Sequence, residues 1–268
     1  MSRDETYTHG HHESVLRSHS WRTVENSAAY LLSSLHSGLD VLDVGCGPGT
    51  ITVDFARLVA PGQVVGVDRS SDVLEEARRA GGQVSNVRFE SGDVYDLEHP
   101  DDSFDVVHAH QLLQHLSDPV AALREMRRVC KPGGVIAVRD ADYASYAWAP
   151  SDPRLDEWLG LYRSVARANG GEPDAGRHLL GWANAAGCDN VQPSASVWCF
   201  ATPDDRAWWA DSWADRMRHS SVADQAIGLG VTTRDRLDAI ADAFRDWRVH
   251  PDAWFAVLHG EILAREEP

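Results

Sequence analysis

The sequence predicts a doubly wound α/β fold: a mostly parallel, seven-stranded sheet with a helical cap inserted before the last strand. Three observations predict it. Short β-branched runs alternate with amphipathic stretches from Val41 to about Tyr143. The first run drops straight into a glycine-rich turn that opens a helix. Past Tyr143 the alternation gives way to longer helical blocks before one more strand-like run. Short, nearly continuous apolar strands suit a parallel sheet covered by helices on both faces.

Taken in order, the runs are Val41–Val44, Val64–Val67, Val87–Phe89, Phe104–Val107 and Val135–Val138. The glycine turn leads into a helix over Ile51–Val59. Asp118-Pro119 reads as a helix N-cap and first helical residue, with Val120, Leu123, Met126 and Cys130 along one stripe and Lys131-Pro132-Gly133-Gly134 as the stop. Asp152-Pro153 opens a helix with Leu155, Trp158, Leu159, Tyr162, Val165 and Ala166 on one face, ending at Gly170-Gly171. A short helix near His178–Ala186 precedes a strand near Val191–Ala201; a helical block from Pro203 to Trp247 then precedes the last run, Trp254–Leu263. Residues 1–30 are polar and histidine-rich, turning helical around Val24–Leu35. The expected organisation is an N-terminal lid or arm over 1–30 and a ligand-binding core over 31–143. Helices and a strand over 144–202 complete that core, a helical cap over 203–250 covers the substrate side, and 251–268 supply the final strand.

Bulk composition narrows the function classes. The chain has 268 residues and 43% hydrophobic content, enough for one large core domain with a modest cap. With 41 acidic against 25 basic side chains the formal charge is −16, which argues against a nucleic-acid partner, since phosphate backbones are held by clustered Lys and Arg. Cys46, Cys130, Cys188 and Cys199 are scattered without a CxxC pair, pointing to neither a zinc knuckle nor a disulfide framework. No signal-type apolar core or membrane-length run is present, so a cytoplasmic protein without a membrane partner is expected.

The most informative residues are Val41-Leu42-Asp43-Val44-Gly45-Cys46-Gly47-Pro48-Gly49-Thr50. Glycines at alternate positions let the backbone approach a ligand closely, and a side chain at Gly45 or Gly47 would occupy that space. About 20 residues on, Asp68 follows the second strand, where an acid accepts hydrogen bonds from two ribose hydroxyls. A dinucleotide usually meets GxGxxG with its pyrophosphate at the helix N-terminus. Here the spacing is GxGxG, and the strand-borne Asp43 puts negative charge beside any pyrophosphate. A cationic sulfonium ligand tolerates that charge.

Val41–Thr50 resembles motif I of the class I S-adenosylmethionine (SAM)-dependent methyltransferases, a family with a Rossmann-like core, and further landmarks follow in the family's order. The resemblance implies that Gly45, Gly47 and Gly49 shape the cofactor site with Asp43. It makes Asp68, with Arg69, the ribose-binding acid segment, and places Asp93 toward the adenine amino group and Val94 against its ring. His110 and Gln111, after the fourth strand, would lie near the methionine end. Leu123–Arg139, with Lys131-Pro132-Gly133-Gly134, resembles the subgroup that includes the ubiquinone and menaquinone methyltransferases. The likeness covers residues 38–143. His110 departs from the subgroup, which often carries a small polar residue there.

On this reading SAM is the cofactor, S-adenosylhomocysteine (SAH) the product, and the reaction an in-line displacement for which the protein aligns the partners and excludes water. A hydroxyl acceptor gains from a general base. His110 is the first candidate, although packing or hydrogen bonding beside SAM explains it equally. Tyr143, with Asp140 and Asp142, follows the fifth strand and is a second catalytic candidate; His115 belongs to the turn before the next helix. Tyr7, His19 and Trp208 are candidate acceptor contacts: the first two on an arm that also carries Arg22, the third pointing away from a Trp209–Trp213–Met217 stripe that packing alone explains. His11 and His12 are neighbours without helical metal-ligand spacing, so no metal is expected.

The expected activity is methyl transfer to a small-molecule acceptor, a natural product among the options, at oxygen, with nitrogen and carbon close behind. A peptide or protein carboxylate or amine is the alternative acceptor, and pairing of protomers into a homodimer is left open. A nicotinamide-dependent oxidoreductase is disfavoured by the glycine spacing and by the absence of a Lys four residues after any tyrosine. A non-catalytic SAM-binding protein would be expected to have lost the glycine loop or Asp68, and neither is lost.

Overall fold

The structure is a computed structural model that describes residues 21–267. After a single helical turn α1 (Val24–Ser27) the chain alternates: β1 (Val41–Val44), α2 (Thr50–Val59), β2 (Val64–Asp68), α3 (Ser71–Gly81), β3 (Val87–Ser91), β4 (Phe104–His110), α4 (Pro119–Val129) and β5 (Cys130–Ala141). It continues through β6 (Ala147–Ala149), α5 (Pro153–Ala168), α6 (Leu179–Ala186) and β7 (Gln192–Phe200). Helices α7 (Pro203–His219), α8 (Ser221–Gly228) and α9 (Arg234–Val249) precede the closing strand β8 (Trp254–Arg265).

Strands β3-β2-β1-β4-β5 pair in parallel, Val41 of β1 standing opposite Val64 on one side and Val106 on the other. The long β8 runs antiparallel to its three partners. Its Trp254–Ala256 and His259–Arg265 pair with β6 and β5, and its Phe255–Leu263 with β7 on the opposite edge. The described sheet thus has eight strands, one more than the sequence suggests. The addition is Ala147-Trp148-Ala149, too short to announce itself, held to the edge of β8 by Trp148 stacking on Phe255 at 5.5 Å.

Helix starts follow the punctuation. Asp118 accepts from the Ala121 N–H at 3.0 Å with Pro119 at the first helical position, and Asp152 accepts from the Arg154 N–H at 2.8 Å ahead of Pro153. All four residues of β1 are buried, as a central strand under two helical layers requires. One apolar layer gathers α2 and the N-terminal turn against β1, β2 and β5; another packs α4 and α6 on the opposite face. A third cluster joins α5, α7 and α9 to β8 through Trp158, Trp213, Phe244 and Phe255. No helix among the described residues is long and apolar enough to cross a membrane.

Candidate active site

A cavity of about 510 Å³ opens at the carboxyl ends of the parallel strands, where open α/β sheets place their ligands. It has two ends, set by strand order. Residues at or after the ends of β3, β2, β1 and β4 line the first; residues from β4 across to β8 and β7, with α7 above them, line the second.

At the first end the turn after β1 runs through three left-handed glycines, with φ of +69° at Gly45, +55° at Gly47 and +77° at Gly49. The expectation that Gly45 is small to admit a ligand needs a correction: a Cβ there would meet Leu112 Cδ1 at 2.9 Å, so part of its space is already filled by protein. Gly49 is tighter still, its would-be Cβ lying 2.8 Å from the Phe89 ring. Asp68 is fixed at the rim, Oδ2 accepting from the Gly47 N–H and Oδ1 from the Ser70 N–H, both at 3.0 Å. A carboxylate has about four acceptor sites, so two remain for the hydroxyls of a ribose.

Asp43 also borders the cavity, yet its carboxylate is committed below the glycine turn. Oδ2 accepts from Thr52 Oγ1 at 2.6 Å and Oδ1 from His108 Nδ1 at 2.7 Å, all three side chains being buried. Arg69 and Val94 line the cavity; Asp93 does not, and its Oδ1 instead accepts the Tyr95 N–H at 3.0 Å.

His110 and Gln111 stand at the junction of the two ends. His110 is buried, and neither ring nitrogen has a hydrogen-bond partner among the described residues. Burial, with the nearby charges of Arg22 and Arg139 and the imidazoles of His259 and His108, pushes its pKa well below the ordinary histidine value. It is therefore a neutral imidazole. Gln111 has a φ of +52°, an uncommon conformation for a side-chain-bearing residue and one that clusters at functional sites. Its Oε1 accepts from Arg22 at 2.5 Å and its Nε2 donates to His259 Nε2 at 2.8 Å. The remaining ring nitrogen of His259, Nδ1, donates to the Val257 carbonyl at 3.1 Å, which fixes its tautomer.

The second end is aromatic. Tyr143 lines it, stacked on Tyr146 at 4.5 Å and on Tyr162 at 4.1 Å. Burial raises its phenol, which makes Tyr143 a hydrogen-bond donor rather than a base. Trp208 lines the cavity, but so do Trp209 and Trp213, so the stripe does more than pack. Of the two acids expected beside Tyr143, Asp140 lies within β5, which runs on to Ala141, and Asp142 is held bidentate by Arg177 at 2.6 and 2.7 Å. Asp140 is buried behind the wall, its carboxyl pushed up to about 7 by burial. His115 borders the cavity, driven down to about 3 by burial and by Arg22. Tyr7 and His19 lie outside the described residues. Trp21 and Arg22, which follow them, are in place: Trp21 packs on Trp198 at 5.2 Å and on Trp208 at 5.0 Å.

Among the lining residues, Arg216, Trp198 and Tyr146 were given no site role of their own from sequence. Arg216 falls on the same helical face as Trp209 and Trp213, a spacing that could have found it. Trp198 sits on β7 and Tyr146 in the short link to β6, with no local signal. The residues at the first end fit a nucleoside with an extended cationic tail: a carboxylate at the rim, a close backbone turn, an apolar wall at Val94 and committed negative charge at Asp43. Among the described residues no group of His, Cys, Asp or Glu is arranged to hold a metal ion.

Comparison with known proteins agrees with this geometry. Residues 35–183 match the family described as a methyltransferase domain. An uncharacterized methyltransferase of Schizosaccharomyces pombe is 37% identical over 274 residues, spanning 97% of this chain and 96% of its own length. Demethylmenaquinone methyltransferase of Staphylococcus aureus is 38% identical over 129 residues, which span 48% of this chain and 51% of that one. Among solved structures, Haemonchus contortus phosphoethanolamine N-methyltransferase 2, in complex with phosphomonomethylethanolamine and SAH, shares the fold. Its TM-score is 0.55 at 18% identity, over 90% of this chain and 52% of that one.

Proposed function

The chain belongs to the class I SAM-dependent methyltransferases, and on that premise we propose that it methylates a hydroxyl oxygen of a small-molecule acceptor, with His110 as the general base. SAM supplies an activated sulfonium methyl group. The observation that carries the reading is His110: a buried, neutral imidazole with no partner on either nitrogen among the described residues, between the nucleoside end and the aromatic end of one cavity. An acceptor hydroxyl there would donate its proton to the free imidazole nitrogen as the oxygen attacks. Gly45, Gly47, Gly49 and Val94 would seat the nucleoside, Asp68 its ribose, with Arg69 at the rim. Gln111, clamped by Arg22 and His259, would border the methionine part.

Trp208 and its neighbours would hold the acceptor, and Tyr143 would orient it as a donor. Residues 1–30 would act as an arm over this cavity, which Trp21 on Trp198 and Arg22 on Gln111 support. The cap over 203–250 would close the acceptor side.

The test is transfer of labelled methyl from SAM into a metabolite extract and into a peptide extract, with mass spectrometry of the product. The expected product is a small-molecule methyl ether, stable to alkali. A labelled amine, or label confined to peptide, overturns the reading. His110→Gln should then lower the single-turnover rate by about 100-fold, the low end of general-base effects, while SAH affinity stays at the wild-type value.

A further inference from the structure

Asp43 and His108 are register partners on the adjacent parallel strands β1 and β4. Both are buried, as is Thr52 in the first turn of α2, whose hydroxyl reaches the same carboxylate. Asp43 Oδ2 accepts from Thr52 Oγ1 at 2.6 Å, and Oδ1 accepts from His108 Nδ1 at 2.7 Å. Among the described residues no Lys or Arg pairs with Asp43; two short hydrogen bonds hold it in place.

The geometry decides where the proton on His108 sits. Its Nε2 is buried and has no hydrogen-bond partner among the described residues. An imidazolium would put an N–H there with no acceptor, and so would the tautomer in which Asp43 takes the Nδ1 proton. A buried donor without an acceptor is costly, more so when it is charged. The neutral imidazole with its hydrogen on Nδ1 avoids both. Thr52 and His108 are then neutral donors, and Asp43 keeps its full negative charge.

That charge has a definite place. His110, at the junction of the two ends of the cavity, is two residues beyond His108 on the same face of β4. The Asp43–His108 pair therefore lies one pleat, about 7 Å, behind the junction. The other ionisable groups that Asp43 acts on are Cys46 of the glycine turn and Tyr30, and neither offsets it. Burial and then Asp43 itself push the Cys46 thiol well up, and burial pushes up the Tyr30 phenol, so both stay uncharged. Charges buried in protein attract or repel over this distance with far less screening than in water. SAM and SAH differ by one methyl group and the positive charge that it puts on sulfur.

We propose that His108 is a positioning residue of the cofactor site: as a neutral imidazole it holds the Asp43 carboxylate ionised behind the junction, so that the cavity favours the positively charged SAM over its neutral product. The carboxylate acts through its field and needs no contact with the ligand. This rests on the SAM reading of the cavity, and neither on which atom is methylated nor on His110 as a base.

Calorimetric titration of the full-length protein with SAM and with SAH, no acceptor being present, tests it. Asp43→Asn should lower the ratio of SAM affinity to SAH affinity about ten-fold, the scale of one charge pair at such a separation in protein. His108→Phe removes a donor, and burial then favours the protonated carboxyl. Its ratio should match that of Asp43→Asn at pH 7 and return toward the wild-type ratio at pH 8.5. Each ratio is compared with the wild type at the same pH, which cancels titration of the ligands. His108→Asn, which keeps an N–H donor, should hold the wild-type ratio at both. A purely structural role would weaken SAM and SAH equally at both pH values, and that result overturns the proposal, as does a wild-type ratio in Asp43→Asn. If the variants fail to fold, nitrogen NMR of the wild-type His108 ring decides: a protonated Nδ1 with a bare Nε2 is expected, and a proton on Nε2 overturns the proposal. Binding of neither nucleoside to the wild type would overturn the cofactor reading itself, and the proposal with it.

Discussion

The two ends of the cavity are built by different means. The nucleoside end comes mainly from short contiguous segments, Asp43–Ile51 and Val67–Ser71, at the tips of adjacent parallel strands, and most of what it offers is backbone. The acceptor end is assembled from side chains far apart in sequence: Arg22, Tyr143, Tyr146, Trp198 and residues 208–216, brought together by β8 pairing with β5, β6 and β7. A backbone site depends on local conformation, so one wrong residue distorts it for every ligand. A side-chain site can change one wall at a time and alter only which molecule fits. Substitutions at the two ends should therefore fail differently.

Gly49→Ala should have the largest effect. The added methyl must fit at a φ of +77° and 2.8 Å from the Phe89 ring, which is packed with Leu74 and Ala77. Strain of this kind with overpacking costs about 3 kcal/mol, to be seen as a lower denaturant midpoint at unchanged slope. SAH binding should weaken by about thirty-fold, equivalent to ~2 kcal/mol of loop distortion. A variant with wild-type stability and SAH affinity would show that the turn is not the rigid element described above.

Trp208→Ala should act at the other end alone. Trp208 is half-buried and packs on Trp21 at 5.0 Å and Phe200 at 5.6 Å, away from the glycine turn. SAH affinity should stay within about two-fold of wild type, while KM for the acceptor rises about ten-fold, as for loss of one aromatic anchor. If SAH affinity falls in step with acceptor KM, the two ends are one structural unit and the comparison breaks.

The same contrast explains what the sequence revealed. The parallel strands, the glycine turn, Asp68 and the Asp-Pro helix starts are local patterns whose physics operates over a few residues, and they were legible as such. The antiparallel β6 was not, because three residues of Ala-Trp-Ala take their strand character from Phe255 across the sheet. Asp142 looked available until Arg177, 35 positions on, closed on it. His259 gave no local signal for its bond to Gln111, since the two are 148 residues apart. Trp209 and Trp213 were visible as a helical stripe, but a stripe does not show whether its face meets a core or a cavity; here it meets both.

The smallest expected effect is the response of transfer to pH, and it probes His110, where the two ends meet. An ordinary histidine with a pKa near 6.5 would lose about four-fold of its neutral form between pH 8 and pH 6. Burial, Arg22, Arg139, His259 and His108 all lower the pKa of His110, so its proton-accepting form persists through that range. Single-turnover rates should therefore be level from pH 8 to pH 6, falling only where the folded pKa is finally crossed in more acidic solution. Arg22→Gln removes a cation beside the imidazole, which must raise the pKa and move that acid limb upward. A four-fold loss in the wild type by pH 6 would mean the imidazole is solvated like a surface residue. An acid limb unmoved by Arg22→Gln would mean that the group titrating there is not His110, and the two ends would then need a different residue at their junction.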